Sequence, residues 1–269
     1  MAVLAFTSAK GAPGVTTTVL ALAFAWHRRT LVVEADMAGS SSMLAGFLRG
    51  GIDHARGVVP LSVVARQNGF TLEGLWEQCL GLDEDRYLLP GIADPGQAAA
   101  LTSSWPQLAQ LFADLDGADV DVLVDAGRLG TASAPTPLLN AADAVVLVTG
   151  TRLPDVYALS RHTSALRADV AGVDGDGLLV ITIGEGRPYS NREIESALGL
   201  RVLSSMAWDP VSAEVYSVGA APGRRFESSA LVRTATITAA TLSAFVDERR
   251  QRLAPAATAS AREEPHAAP

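Results

Sequence analysis

Within its first 26 residues the chain runs from an apolar stretch, Ala2 to Phe6, through Ala9-Lys10-Gly11-Ala12-Pro13-Gly14-Val15-Thr16-Thr17 and into a mostly apolar segment ending at Trp26. Val3-Leu4-Ala5-Phe6 reads as a buried strand, and Thr16 to Trp26 reads as a helix with Thr16, Thr17 and Thr18 in its first turn. A glycine turn between a strand and a helix presents backbone N–H groups and a positive helix end to an anion, so the order found here is that of a phosphate cradle. Lys10 is the only lysine among the 21 Lys and Arg residues. An ammonium on a flexible stem is a point charge for a phosphate, where a guanidinium is bulkier and planar. Taken alone, the segment also fits a plain turn with an exposed lysine beside it.

The same alternation continues along the chain. Thr30-Leu31-Val32-Val33-Glu34-Ala35-Asp36-Met37-Ala38-Gly39-Ser40 is an apolar strand ending in two acids, and Asp121-Val122-Leu123-Val124-Asp125-Ala126-Gly127 is another ending in Asp125. Ala141 to Thr149, Gly177 to Ile183 and Leu200 to Ser204 read as further strands, with helices over Leu153 to Ala168 and Asn191 to Gly199. Strands alternating with helices predict an α/β fold, a mainly parallel twisted sheet with helices on both faces. At 269 residues and 48% hydrophobic, the chain can bury a large core. Segment 50 to 115 is less regular, with helices expected over Pro60 to Ala65, Leu72 to Leu80 and Ser103 to Leu115 and a strand at Tyr87-Leu88-Leu89. The domain is expected over residues 1–250, and Ala254 to Pro269, an Ala, Pro and Glu tail, is expected to be disordered.

The ordinary phosphate-loop pattern is not met, because Ala9 replaces its first glycine and Val15 its lysine. The segment resembles the deviant Walker A loop of the ParA/MinD-like P-loop NTPases, K-G-G-x-G-K-[ST], in which Lys10 takes the place of the signature lysine and Gly11 and Gly14 match glycines. Ala12 and Val15 depart from it. The resemblance implies that Lys10, Gly11, Ala12, Pro13, Gly14, Val15, Thr16 and Thr17 border a bound ATP, with Thr16 as the Mg²⁺-binding hydroxyl. Glu34 and Asp36 match the two acids that end the family's second strand, and Asp125 its Walker B acid, so Thr16, Asp36 and Asp125 form the implied Mg²⁺ shell. Lys10 and Asp36 are the implied catalytic residues. Asp209 and Pro210, in Ala207-Trp208-Asp209-Pro210, match a segment near the nucleotide base. Each strand-end acid taken alone fits helix capping better than metal binding. Loss of the second lysine implies weakened binding and at most a weak ATPase.

Other chemistries find little footing. Cys79 stands alone on what reads as an apolar helix face, a buried thiol rather than a nucleophile. His27, His54, His162 and His266 show no metal-ligand spacing. The beginning lacks a basic leader region and no apolar run is long enough to span a bilayer, so a cytoplasmic protein is expected. A net charge of −8 opposes non-specific DNA binding, and Arg224-Arg225 and Arg249-Arg250 with Arg252 read as solvated charges near helix ends. Leu231, Ala235, Leu242, Phe245, Val246 and Leu253 form the inward stripe expected of the last helix.

A loop with a single lysine, together with Gly223-Arg224-Arg225-Phe226-Glu227-Ser228-Ser229-Ala230-Leu231-Val232-Arg233, looks most like the actinobacterial CpaE/TadZ group. That resemblance implies a nucleotide-dependent homodimer that positions a secretion or tight-adherence pilus apparatus, with a CpaF-type secretion ATPase as partner. Two other functions stay open: an active ParA-type ATPase partitioning chromosomes or plasmids, and a nucleotide-free scaffold with a degenerate loop.

Overall fold

The computed structural model describes residues 1–10, 14–131, 133–169 and 175–253; Gly11, Ala12, Pro13 and the expected tail from Ala254 onward lie outside the described residues. The apolar runs become strands: β1 (Val3–Ser8), β2 (Arg29–Glu34), β3 (Leu80–Gly81), β4 (Arg86–Leu89), β5 (Val120–Arg128), β6 (Ala144–Gly150), β7 (Leu178–Ile183) and β8 (Arg201–Met206). They form one sheet in the order β3-β4-β2-β5-β1-β6-β7-β8, parallel throughout except where β3 meets β4. The helices are α1 (Val15–Ala25), α2 (Val58–Asn68), α3 (Leu72–Gln78), α4 (Ala98–Leu101), α5 (Trp105–Ala113), α6 (Thr136–Ala141), α7 (Leu153–Asp169), α8 (Asn191–Leu198), α9 (Pro210–Ser217) and α10 (Ala230–Leu253). The α/β architecture read from the sequence is therefore the one observed.

Two cores flank the sheet. Leu61 of α2, Trp105 and Phe112 of α5, Leu159 of α7 and Ile194 of α8 belong to one, while Leu22 of α1, Tyr216 of α9 and Leu242 of α10 belong to the other. Successive residues of β1 alternate between them, Val3 and Ala5 facing the first and Leu4 and Phe6 the second. Because both faces are covered, both sets are apolar, and the strand reads as an unbroken hydrophobic run. Parallel pairing also brings the carboxyl ends of seven strands, all but β3, to one edge of the sheet, and the loop after β1 opens there between β5 and β6.

The structure corrects several expectations. The helix expected to reach Leu80 stops at Gln78, since Leu80 pairs across to Leu88 in the antiparallel edge. Cys79 is accordingly not on a helix face; it follows the helix as its cap residue, buried, and that burial pushes its thiol up to about 12. α6 and α9 were unforeseen, each being only two turns long. Leu253 does not join the inward stripe of α10 and is 56% exposed. Arg249 is not solvated: it is buried, and its Nε donates to the Asp143 carbonyl at 2.9 Å. Arg250 Nε donates to the Asp143 carboxylate at 2.7 Å, pinning the end of α10 beneath the sheet.

Beneath the start of β1 sits a buried acid. Asp121 accepts from the Ala2 N–H at 2.6 Å and from Trp26 Nε1 at 2.7 Å, with Arg28 at 3.7 Å. Asp121→Ala leaves those donors unsatisfied in the interior, so it is expected to lower the unfolding free energy by about 3 kcal/mol, read from urea midpoints. Leu253→Ala, at an exposed position, is expected to change it by less than about 0.5 kcal/mol.

Candidate functional site

At the strand-end edge, Gly14 adopts φ 89° and ψ 34°, a left-handed conformation that favours glycine, and turns the chain into α1. The Thr18 N–H donates to the Gly14 carbonyl at 2.8 Å, closing the first turn, and no side chain caps the helix. The first-turn N–H groups are thereby left for an anion. Thr17 is half-buried in this turn. The Val15 side chain points into the α1 core and is buried, so only its backbone faces the loop.

Thr16 does reach an acid. Its hydroxyl donates to Asp125 Oδ2 at 2.6 Å, while the Gly127 N–H donates to Asp125 Oδ1 at 3.0 Å. Asp125 is buried, and that burial raises its carboxyl to about 7 despite the Thr16 hydrogen bond; the charges of Glu34 and Asp36 push the same way. Asp36 follows β2, accepts from the Ala38 N–H at 2.9 Å, and lies so close to Gly127 that a side chain at 127 would overlap its carboxylate. Thr16 and Asp36 thus both lie at the Asp125 end of β5.

Glu34 plays another part. Buried at the end of β2, its carboxylate accepts from the Ser41 hydroxyl, from the Met43 and Gly91 N–H groups at 3.0 Å each, and from the Ser42 hydroxyl at 3.3 Å. Its oxygens are committed to holding the segment after Asp36 and the turn after β4.

Lys10 stands on the other side of β1. Its Nζ lies 3.6 Å from Asp155 in the first turn of α7, its side chain is 53% exposed, and the Ser8 hydroxyl steadies the loop by donating to the Lys10 carbonyl at 2.8 Å. Here a cavity of about 250 Å³ opens, lined among others by Lys10, Thr151, Asp155, Arg187 and Trp208. The sequence reading missed Asp155 and Trp208, because nothing in a local pattern reports which helix end the loop will face. Asp209 caps α9, accepting from the Ser212 N–H at 3.2 Å and the Ser212 hydroxyl at 2.8 Å, with Pro210 as the first helical residue. Trp208 beside it, rather than Asp209, lines the cavity.

Among the described residues no group of three His, Cys, Asp or Glu side chains is arranged to hold a metal ion by itself. The donor set instead suits Mg²⁺ shared with phosphate: one hydroxyl, one carboxylate and a second acid nearby. Burial raises the Asp125 carboxyl to about 7, and a cation at this position would favour its charged form. Among the described residues no helix is long and apolar enough to cross a membrane.

No protein-family model matches the sequence, and no curated protein does either. Solved structures do. A ParA family ATPase from Chlorobium tepidum superposes with a TM-score of 0.72 at 16% identity, covering 89% of this chain and 98% of that one. The septum site-determining protein MinD from Pyrococcus horikoshii, complexed with Mg-ADP, gives 0.69 at 18% identity over 92% and 98%. A variant of McdA from Cyanothece in complex with ATP gives 0.63 at 16% over 90% and 96%. The fold is that of the ParA/MinD ATPases. At these identities the likeness shows the fold alone, and the function rests on the residues.

Asp125 supplies a stability test. Its folded pKa of about 7 lies above the ordinary 3.8, so the folded state binds the extra proton between those values and stability falls as pH rises through that window. Asp125→Asn, which keeps the shape without the charge, is expected to flatten that fall by an amount on the order of a few kcal/mol between pH 4 and pH 7, read as the difference between parent and variant urea midpoints.

Proposed function

We propose that this chain is a nucleotide-dependent dimeric switch that positions a larger assembly, a secretion or tight-adherence pilus apparatus, and hydrolyses ATP slowly or not at all. The observation that carries the reading is the Thr16–Asp125 pair at the uncapped start of α1, with an apolar Val15 where the resembled loop has its second lysine. In this reading the N–H groups of Gly14 to Thr17 bind phosphate, Thr16 and Asp125 hold Mg²⁺, and Asp36 orients the attacking water. Mg²⁺ when bound neutralises charge on the phosphate oxygens. The titration of Asp125 then follows the metal, because a bound cation replaces the proton that burial favours.

A protein-facing surface surrounds Lys10. Leu153 and Tyr157 of α7 and Trp208 and Val211 after β8 are all exposed, and Asp155, between the first two, holds the lysine. Lys10 acts across the interface in this proposal, leaving Asp155 for the nucleotide of a second copy. The likeness in fold to MinD and ParA proteins supports a positioning role, and the single-lysine loop supports the CpaE/TadZ group with a CpaF-type ATPase as partner. A net charge of −8 argues against partitioning DNA.

Mass measured in solution with and without ATP and Mg²⁺ tests the switch. The parent is expected to dimerise only with both, and Lys10→Ala to remain a folded monomer with dimer affinity weakened roughly ten- to hundred-fold, the worth of one charge-assisted contact. Lys10→Arg is expected to fail nearly as badly, since a planar guanidinium does not replace a point charge. Wild-type-like dimers in both variants overturn the role of Lys10, absence of ATP binding by the parent returns the scaffold reading, and DNA-stimulated turnover returns the partitioning one.

A further inference from the structure

The metal end of the site is acidic and short of a cation. Glu34, Asp36 and Asp125 converge there, the Val15 side chain is in the core, and Lys10 is engaged with Asp155 on the far side of β1. A polyphosphate brought to such an edge meets carboxylates with only backbone N–H groups and a divalent ion to offset them.

One further charge stands at this edge. β5 carries Asp125, Ala126 and Gly127 past Thr16 and Asp36 and ends at Arg128, which pairs in register with Ser8. The Leu129 N–H donates to the Ser8 carbonyl at 2.8 Å, and the Thr7 hydroxyl donates to the Gly127 carbonyl at 3.0 Å, so this end of β5 is fastened to the start of the Lys10 loop. Neighbouring strands lie about 4.8 Å apart, so Arg128 leaves the sheet one strand spacing from Ser8 and three residues beyond the buried acid. Arg128 is exposed, and among the described residues its side chain makes no ion pair and no hydrogen bond. Two other arginines, Arg152 and Arg187, line the Trp208 cavity at the ends of β6 and β7, across β1 from Asp125.

We propose that Arg128 is the phosphate-binding cation at the metal end of this site, its guanidinium taking the terminal phosphate of a nucleoside triphosphate in place of the charge that Val15 cannot supply. The inference rests on the nucleotide reading above and names a residue that reading does not use. A planar fork suits a terminal phosphate with two free oxygens, and a long stem lets the charge come from a neighbouring strand rather than from the loop. Such a contact discriminates triphosphate from diphosphate, because the group it holds is absent from the latter.

Calorimetry with ATP and with ADP, each with Mg²⁺, tests the assignment on the full chain. Arg128→Ala removes an exposed side chain without partners, so its thermal unfolding is expected to match the parent's. Its ATP affinity is expected to fall roughly ten- to hundred-fold and its ADP affinity by less than about threefold, with Arg128→Lys recovering part of the loss and Arg66→Ala, at an exposed position of α2, within about twofold of the parent. ATP affinity unchanged in Arg128→Ala while the parent binds ATP overturns the role of Arg128 and leaves the nucleotide reading standing. Equal losses for ATP and ADP overturn the terminal-phosphate assignment. A parent that binds neither nucleotide overturns both.

Discussion

The hydrogen bond from Thr16 to Asp125 joins the first turn of α1 to the end of β5, and the organisation of the strand-end edge depends on it. It fastens the start of α1 to the sheet, with a left-handed Gly14 just before Thr16 bringing that hydroxyl to the buried carboxylate. Burying that carboxylate costs stability, as its raised pKa shows. A neutral residue of similar shape would cost less, so the acid is an expense the core alone has no reason to carry. Retention of an acid where only a hydroxyl and one N–H meet it is what the proposed Mg²⁺ site would use.

Glu34 shows how an acid in such a place can be structural. Its partners span the Ser41 to Met43 segment and Gly91, so it fixes the path of the chain after Asp36. Gly127 fixes it from the other side, because only the absence of a side chain lets Asp36 pack against β5. The two acids that end β2 therefore divide their work, the buried one holding the segment and the half-buried one left beside Asp125.

Much of this was legible in the sequence because it is local. Strands covered on both faces announce themselves as apolar runs, and an acid ending such a run falls at the carboxyl edge wherever pairing is parallel. What was not legible depends on which elements meet. Leu253 continues the helical spacing of α10 but lies beyond the last stretch covered by the sheet, whereas Arg249 is buried because Asp143, a residue 106 positions earlier, waits beneath it. β3 is a two-residue edge whose strand identity comes from Leu88 opposite, and Trp208 becomes a cavity wall only when β8 is placed beyond β7. The part of Glu34 was hidden in the same way, since a sequence states that an acid ends a strand but not how many donors the next turn will aim at it.

β1 separates two kinds of charge at the site. On the β5 and β2 side lie the carboxylates, which a divalent ion and a guanidinium can offset within one subunit. On the β6 and β7 side lie Lys10, Arg152 and Arg187 beside a cavity rimmed by exposed apolar groups, where cations outnumber Asp155. Charge left uncompensated on an apolar rim is poorly matched to bulk water and well matched to an anion presented by another surface, because excluding water strengthens the attraction. In the proposed function a polyphosphate at the start of α1 lies between these sides, drawn by the cations of one and requiring a divalent ion to lie against the carboxylates of the other. In the proposed function, binding the nucleotide and assembling a second surface on the Lys10 side would be coupled through the same phosphates.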